Sequence, residues 1–276
     1  MSQKEKGFSC KGITMIEVKN LVKRFGNFAA VNDISFEVPP GELFALLGPN
    51  GAGKSTTIKM MTTLLKPSSG TIVLNGHNVV RSPDQVRKSF GIVFQDPSVD
   101  NDLTAYENME LHAVMYNLSR HQVKPRIQEL MTMVGLWDWR DKMVKTFSGG
   151  MKRRLEIARG LIHHPKVLFL DEPTVGLDAQ TRNLLWSYIG ELAKEKDMTI
   201  VFTTHYLEEA ENNAKRIAII DHGKLLTIGT ATELKRQTNT KSLEGAYLAM
   251  TGKDLRDEAV NPREVLRERQ RARNMR

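Results

Sequence analysis

The sequence has little cysteine and no long apolar run. Cys10 is the one cysteine among its 276 residues, which excludes an intrachain disulfide and a site built on several thiolates. No stretch approaches the roughly 18 apolar residues that cross a bilayer, and the first residues lack the apolar core of a signal peptide. We therefore expect a cytoplasmic protein.

Excess positive charge is also scarce outside the two ends of the chain. The formal net charge is +8, of which residues 261–276 carry +4, with six arginines and two glutamates, and the first twelve residues carry +2. The nearly neutral body argues against a broad nucleic-acid-binding face. We expect the basic tail to be a solvated end, with contact to anionic lipid or RNA as the alternative.

What is present is enough apolar material for a large core. Hydrophobic residues make up 40% of the chain, which excludes disorder of the whole. A chain of this length accommodates one large α/β domain, with or without a subdomain.

A glycine-rich segment follows a short apolar run and precedes a helical pattern. Residues 43–47 are apolar, the pattern Gly-x-x-x-x-Gly-Lys-Ser runs from Gly48 to Ser55, and residues 57–65 fit a helix. Glycines in such a loop let backbone N–H groups approach phosphate oxygens at the positive end of a helix. Lys54 adds a mobile charge for the β- and γ-phosphates, and the Ser55 hydroxyl suits Mg²⁺. The segment predicts a nucleotide phosphate site.

Polar side chains end three further apolar segments that have the pattern of strands. Asp171 and Glu172 close the run at 167–170, where Asp171 suits Mg²⁺ held through water and Glu172 suits a general base. His205 ends the next strand and is able to contact a γ-phosphate. Gln95 ends an earlier strand, where it either orients a Mg²⁺-bound water or simply closes a turn.

From about residue 96 to residue 162 the sequence has a helical texture. Thr104 begins a capping box, and an apolar stripe follows it. Ser148 is a suitable N-cap for a later helix whose first turn contains Gly149 and Gly150. Open N–H groups there favour an anion, so this is a second phosphate-binding element. One nucleotide does not need two such elements, so the second could serve a nucleotide held by another copy of the chain.

One aromatic residue has two competing explanations, and one histidine pair has no expected function. Phe25 lies between two alternating strands, at about 15–19 and 33–38, and is either a core aromatic or a platform for a nucleobase. His163 and His164 have no cysteine or further histidine beside them, so we expect a solvated loop pair and not a metal site.

Over roughly residues 13–234 these segments resemble the nucleotide-binding subunit of an ABC transporter. The glycine loop resembles the Walker A motif, the strand that ends at Asp171 and Glu172 the Walker B motif, Gln95 the Q-loop glutamine, and His205 the switch histidine.

The remaining family motifs are similar but not identical. The segment around Ser148 resembles the signature usually written Leu-Ser-Gly-Gly-Gln and departs from it at Phe147 and Met151. Asp178 ends a stretch that resembles the D-loop, and Phe25 stands where the family places its adenine-stacking aromatic, commonly a tyrosine. Losing the phenol matters little, because stacking uses the face of the ring.

The resemblance implies a fold and its divisions. The fold would be α/β, a P-loop NTPase (RecA-like) core with an N-terminal antiparallel β-subdomain and an inserted α-helical subdomain at about 96–162. The nucleotide-binding domain would cover 13–238, after a flexible extension at 1–12 and before a C-terminal segment with the basic tail at 239–276.

The resemblance also implies ATP and Mg²⁺ as ligands. The implied catalytic residues are Glu172, His205, Gln95 and Lys54, and the implied Mg²⁺ residues are Ser55, Gln95 and Asp171. The implied ATP contacts are Phe25, Gly48, Pro49, Asn50, Gly51, Ala52, Gly53, Lys54, Ser55, Thr56, Ser148, Gly149, Gly150 and Asp178.

The implied activity is ATP hydrolysis that powers transport through a separate membrane permease, on the cytoplasmic face of the membrane. Two copies would meet head to tail, with each ATP between the Walker A loop of one and the signature of the other. The signature variant and the segment at 243–252 are similar to the daunorubicin-resistance branch, which implies multidrug or antibiotic export or export of a lipid or polysaccharide-like substrate. No nucleic-acid partner is expected.

Two alternatives remain at this point. An importer subunit would share every motif except the signature variant and the C-terminal resemblance. A soluble ABC-type ATPase of translation or DNA repair usually has two cassettes, or coiled-coil or zinc insertions, and the sequence shows none of these.

Overall fold

The computed structural model describes residues 14–195 and 198–252. The strands are β1 (Ile16–Phe25), β2 (Phe28–Val38), β3 (Leu43–Leu47), β4 (Ser69–Leu74), β5 (His77–Asn78), β6 (Phe90–Val93), β7 (Val167–Asp171), β8 (Thr199–Thr204), β9 (Arg216–Asp221) and β10 (Lys224–Gly229). The helices are α1 (Lys54–Met61), α2 (Pro83–Ser89), α3 (Ala105–Met115), α4 (Arg120–Met133), α5 (Gly149–Gly160), α6 (Ala179–Glu195), α7 (Leu207–Asn213), α8 (Ala231–Gln237) and α9 (Leu243–Thr251), with 3₁₀ turns at Trp137–Trp139 and Val144–Thr146.

The larger sheet has the strand order β10-β9-β3-β8-β7-β6. Its strands are parallel except for β10, which pairs antiparallel with β9. β7 and β8 are buried along their whole length, which explains why they are continuous apolar runs in the sequence. The carboxyl ends of parallel strands meet at one edge, so the residues that follow β3, β6, β7 and β8 converge there.

The smaller sheet is antiparallel, with the order β2-β1-β4-β5. Alternate residues such as Ile16, Val18 and Ile34 are buried in a cluster that also contains Phe44 of β3. The predicted antiparallel region with one buried face is therefore confirmed, although both of its first strands are longer than the alternating patterns predicted.

The two faces of the larger sheet contribute to two apolar clusters. Neighbouring residues of a strand point to opposite faces, and accordingly Phe44 and Leu46 lie in the cluster with the smaller sheet while Ala45 and Leu47 lie in the other. The second cluster is completed by buried residues of α3, α4, α5, α6, α8 and α9. The α/β core, the antiparallel β-subdomain and the helical layer together confirm the predicted fold class.

Both predicted helix starts in the helical layer are confirmed. The Thr104 hydroxyl accepts a hydrogen bond from the Glu107 N–H at 3.1 Å, and the Glu107 carboxylate accepts one from the Thr104 N–H at 2.7 Å. The Ser148 hydroxyl accepts a hydrogen bond from the Met151 N–H at 3.3 Å, which makes it the N-cap of α5.

The helix after the glycine loop differs from the prediction at both ends. It begins at Lys54, within the loop pattern, and ends at Met61, whereas the apolar pattern predicted a helix over 57–65. Thr63 has a φ of +63°, so the backbone leaves the right-handed region just after the helix ends. The apolar residues beyond that point continue the pattern but not the helix.

Helix α9 packs on the body of the domain. Leu243, Ala246 and Tyr247 are buried in the cluster that lies against the larger sheet. The predicted extension at 1–12 and the basic tail at 261–276 lie outside the described residues, and the domain boundaries stay predictions. Among the residues that the structure describes, no helix combines the length and the apolar character that a membrane span requires.

Candidate functional site

The glycine loop connects β3 to α1 against neighbouring backbone. A Cβ atom on Gly48 would overlap the carbonyl oxygen of Ile220, and one on Gly53 would overlap the carbonyl oxygen of Ala30. Gly53 also has a φ of +102°, and it is the N-cap of α1. A helix leaves its first N–H groups without partners inside the helix, and a glycine N-cap has no side chain to accept from them. The loop therefore offers backbone donors at the positive end of α1, as predicted for a phosphate site.

Lys54 is buried and folds back over the loop. Its ammonium group donates to the carbonyl oxygens of Gly48 at 2.7 Å and Pro49 at 2.9 Å. The same Nζ lies 3.5 Å from Oε1 of Glu172, which is also buried. The positive charge is thus held at the mouth of the loop, between the loop backbone and the end of β7.

Ser55 and Asp171 meet between α1 and β7. The Ser55 hydroxyl donates to Oδ1 of Asp171 at 2.9 Å, and the Thr203 hydroxyl donates to the same oxygen at 2.6 Å. Asp171 and Thr203 are register partners in the β7–β8 pair, which places their side chains side by side. The Thr203 hydroxyl also accepts from the Glu172 N–H at 2.9 Å. Thr203 was not predicted as a site residue, because its role depends on β8 becoming the neighbour of β7.

Glu172 is buried between two groups that carry or can carry positive charge. Its Oε1 faces Lys54, and its Oε2 lies 3.4 Å from Nδ1 of His205. Burial raises the pKa of Glu172, but the contact with His205 and the charge of Lys54 outweigh it, so the pKa is below its ordinary value. Glu172 also has a φ of +48°, a region where a non-glycine residue is strained by about 1 kcal/mol or more. Its carboxylate is therefore ionised and held in a fixed direction.

The predicted signature residues lie in a second group with Asp178. A Cβ on Gly150 would overlap the Thr181 side chain, whereas one on Gly149 would meet only Leu177, at 4.0 Å. Asp178 accepts hydrogen bonds from the N–H of Thr181 at 2.9 Å and from its hydroxyl at 2.7 Å, and these bonds lower the pKa of the Asp178 carboxyl. The start of α5 therefore packs against the start of α6.

Phe25 is not a core residue. It lies at the end of β1, opposite Phe28 in the hairpin, and half of its side-chain surface (50%) is exposed. The Lys23 ammonium lies 5.1 Å from the centre of the Phe25 ring. The exposed ring contradicts the core interpretation, and the role of Phe25 as a platform for a nucleobase stays a prediction.

Gln95 is exposed just beyond β6. That strand pairs in parallel with β7, with Val93 opposite Leu170. Gln95 therefore lies at the same edge of the sheet as Asp171. The carbonyl oxygen of Gln95 accepts a hydrogen bond from Arg153 of α5 at 2.8 Å. This contact with the signature helix was not predicted from the sequence.

Glu209 binds side chains next to His205 and was not predicted from the sequence either. It is buried, and its two carboxylate oxygens accept hydrogen bonds from Thr174, after the end of β7, and from Thr204, at 2.9 Å in the second case. The Arg182 side chain lies 3.6 Å from the same carboxylate. In the sequence Glu209 stands within an acidic run on a short helix, a pattern typical of a solvated face.

The prediction for the histidine pair was wrong for His163. Its ring stacks on Tyr116 with centroids 3.7 Å apart, its Nε2 lies 2.9 Å from the Phe90 carbonyl oxygen, and burial lowers its pKa to about 4. His164 is exposed. The packing of α3 over this loop is a tertiary contact, so local sequence contained no signal for it. In the described part of the chain no group of three or more His, Cys, Asp or Glu is arranged to hold a metal.

Comparison with known proteins agrees with this geometry. The family model described as ABC transporter matches residues 31–175. The daunorubicin/doxorubicin resistance ATP-binding protein DrrA of Streptomyces peucetius is 44% identical over 83% of this chain and 69% of its own length. The linearmycin resistance ATP-binding protein LnrL of Bacillus subtilis (strain 168) is 42% identical over 80% of this chain and 70% of its own length.

A solved structure is similar in fold as well as in sequence. The ATP-binding cassette MJ0796, a dimer in a post-hydrolysis state bound to ADP and Pi, is 28% identical and superposes with a TM-score of 0.70. The superposition covers 78% of this chain and 98% of that one.

Proposed function

The chain belongs to the ABC transporter family, as an ATP-binding and ATP-hydrolysing subunit of the exporter branch, and from that premise we propose which residues perform hydrolysis, what is exported and which surfaces bind partners. The observation that carries the proposal is the buried Glu172 carboxylate, ionised between Lys54 and His205 beside the Ser55–Asp171 pair.

We propose that the glycine loop binds the phosphates of ATP. Lys54 would transfer its donors from the loop carbonyls to phosphate oxygens, a stronger, charge-assisted pairing. The loop residues Gly48, Pro49, Asn50, Gly51, Ala52, Gly53, Ser55 and Thr56 would surround the phosphates, and Phe25 would stack on the adenine.

The residues at the end of β7 fit a magnesium ion. Ser55 and Asp171 present hard oxygen donors 2.9 Å apart, and Gln95 follows the neighbouring strand. When bound, Mg²⁺ neutralises charge on the phosphate oxygens. Thr203 would keep the Asp171 carboxylate in position, because its hydroxyl binds the same oxygen.

Glu172 would act as the general base. A lowered pKa keeps the carboxylate ionised at neutral pH, so that it can accept a proton from a water molecule directed at the γ-phosphate. His205, on the other side of the carboxylate, would contact the γ-phosphate and orient Glu172.

The signature residues would complete the site of a second copy of the chain. Ser148, Gly149, Gly150 and Asp178 lie at the adjoining starts of α5 and α6, where Gly149 has an open face and Gly150 packs on Thr181. The dimeric state of MJ0796 supports an arrangement in which each ATP is shared by two copies.

An exposed apolar face on α3 suits the membrane permease. Leu111, Val114 and Met115 are large apolar residues with more than half of their surface exposed, and they lie close together at one end of the helix. Contact there would hold the subunit on the cytoplasmic side of the membrane and transmit closure of the dimer. The resistance proteins among the relatives support a drug-like or antibiotic substrate and favour export over import.

The first test uses the Glu172→Gln variant. We expect it to bind ATP with Mg²⁺ and to accumulate as a dimer on size-exclusion chromatography, while turnover falls by a factor of about 10² to 10⁴ because the base is gone. The matched control is Glu208→Gln. Glu208 is an exposed glutamate three residues after His205, and this variant should hydrolyse ATP normally. A monomeric Glu172→Gln protein with normal turnover would reject the proposed mechanism.

The same dimer serves to capture partners from solubilised membranes. A polytopic membrane protein should be recovered with Glu172→Gln and lost when Met115→Lys is added, with the dimer intact. Recovery of ribosomal or DNA-repair proteins instead would leave the ATPase assignment standing and overturn the transport proposal.

A further inference from the structure

Helix α5 carries three charged residues along one face toward the segment that contains Gln95. Arg153, Glu156 and Arg159 are spaced three residues apart, which places them on the same side of the helix. All three side chains contact the backbone or side chains of residues 94–98.

Arg153 binds the backbone carbonyl groups on both sides of the Gln95 α-carbon. Its guanidinium donates to the carbonyl oxygens of Phe94 and Gln95, the latter at 2.8 Å, and a third contact joins it to Glu156 at 3.1 Å. Two nitrogens of the planar guanidinium bind the two carbonyl oxygens, and the single nitrogen of a lysine does not reproduce that fixed arrangement.

Glu156 and Arg159 hold the next turn of the segment at Ser98. The Glu156 carboxylate is 1% exposed and accepts from the Ser98 N–H at 2.5 Å and from its hydroxyl at 3.0 Å. Arg159 donates to the Ser98 carbonyl oxygen at 2.8 Å. The segment 94–98 is thus attached to α5 at both of its ends.

The far end of α5 is fixed to the strand before that segment. A Cβ on Gly91 of β6 would overlap the backbone of Gly160, the last residue of α5, so the two backbones touch. Strand β6, residues 94–98 and helix α5 therefore form one unit. A buried ion pair is costly to desolvate and is weak evidence for stability, so its value here is better sought in positioning.

We propose that Arg153 and Glu156 are positioning residues that couple the two ATP sites of the dimer, by making the signature end of α5 and the Gln95 segment of the same chain move together. This rests on the proposed function, in which the start of α5 contacts the partner's ATP and Gln95 serves the chain's own site. Binding of one ATP would then place the Gln95 of the other site.

The test is Arg153→Lys, which keeps a positive charge beside Glu156 but puts one nitrogen where two guanidinium nitrogens bind the Phe94 and Gln95 carbonyl oxygens. In the wild-type chain the rate of hydrolysis should rise sigmoidally with ATP concentration, with a Hill coefficient approaching the limit of about 2 for two sites. In Arg153→Lys the coefficient should fall toward 1 and kcat should fall by about 2- to 30-fold, while nucleotide affinity of the monomer stays within about twofold. A wild-type coefficient of 1, or an unchanged one in the variant, would overturn the proposal.

Arg154→Lys is the matched control. The Arg154 guanidinium donates to the Val134 carbonyl at 2.8 Å, within the helical layer, so its replacement removes a comparable contact without touching residues 94–98. It should leave the Hill coefficient unchanged. Ser98→Ala, at an exposed position, removes the hydroxyl contacts alone and should give a smaller shift of the same sign, which covers the case in which Arg153→Lys does not fold.

Hydrogen exchange at the Ser98 amide separates this proposal from the proposed function. In the Glu172→Gln background, ATP should slow Ser98 exchange, and Arg153→Lys should abolish that slowing while the dimer still forms. A dimer with equal slowing in both proteins would reject the coupling and leave the ATPase mechanism standing. Absence of any dimer in Glu172→Gln would reject the proposed function itself.

Discussion

The phosphate-loop region and the signature region of this chain are built in opposite ways. In the first, Lys54 lies beside the Glu172 carboxylate and Ser55 donates to Asp171, so its polar groups find partners within a single chain. In the second, Ser148 and Asp178 bind only their own helix starts through the hydrogen bonds described, and Gly149 faces open space apart from Leu177. We propose that the first region performs the chemistry and that the second binds a nucleotide held by another copy of the chain.

The largest expected effect comes from breaking the first region. Lys54→Ala removes the positive charge that contacts the loop carbonyls and Glu172. A lost charge-assisted contact of about 1.5 to 3 kcal/mol predicts ATP binding weaker by about 10- to 150-fold. A fluorescent nucleotide titration of the monomer measures this.

The control for Lys54→Ala is Lys59→Ala. Lys59 is exposed on the same helix, so its replacement changes net charge equally without touching the loop. Equal ATP affinity of Lys54→Ala and the wild-type chain would contradict the assignment of Lys54 to the phosphates.

The phosphate-loop region is also the part that the sequence predicted best. The chain delivers Lys54 and Ser55 consecutively, and the apolar run before Asp171 signals a buried strand, so both the loop and the strand end are local patterns. Thr203 and Glu209 could not be read in the same way, because their roles depend on which strands become neighbours and on which helix face is covered.

In the signature region, too, local features were predicted from the sequence and long-range contacts were not. Its N-cap and glycines are local and were predicted, whereas the attachment of Arg153 and Glu156 to residues 94–98 joins segments nearly sixty residues apart. Likewise, an arginine and a glutamate three apart on a helix usually form a solvated pair. Only the packing of α5 on β6 shows that these two are buried.

A smaller effect, confined to assembly, is expected from the second region. In Gly150→Ala the new methyl group would overlap Thr181, whose hydroxyl is held by Asp178, so both must shift. Overpacking of this kind costs about 1–3 kcal/mol, which predicts an ATP-induced dimer weaker by roughly 5- to 150-fold in the Glu172→Gln background. Monomer ATP affinity should not change, and analytical ultracentrifugation measures the dimer.

Gly190→Ala is the control for Gly150→Ala. Gly190 is also in a helix, α6, but a Cβ there meets nothing within 4 Å. It should dimerise normally and gain up to about 1 kcal/mol of stability, since alanine is the better helix former. If Gly150→Ala dimerises as well as this control, the signature region does not contribute to the ATP-induced dimer as proposed.

The smallest expected effect is on the free energy of unfolding at acid pH, and it arises near the C-terminal end of α5. Glu172 in the phosphate-loop region is buried as an ion. His163, three residues beyond α5, is instead a half-buried neutral ring against Tyr116, and its partial burial and the nearby His164 and Arg126 disfavour its protonation. Its pKa falls from the ordinary 6.5 to about 4 in the folded protein. The unfolded chain therefore binds the proton first, so stability is lost as pH falls from about 6.5 toward 4.

His163→Gln should reduce that loss, because glutamine can still donate to the Phe90 carbonyl but does not titrate. Between pH 7 and pH 5 the wild-type chain should lose about 1–2 kcal/mol more unfolding free energy than the variant, measured by urea denaturation at each pH. At pH 7 the variant should be less stable by about 1 kcal/mol, since the stacking on Tyr116 is gone. Parallel pH profiles would mean that His163 takes up its proton as readily in the folded as in the unfolded chain. The contrast between an ionised carboxylate in one region and a neutral histidine in the other would then fail.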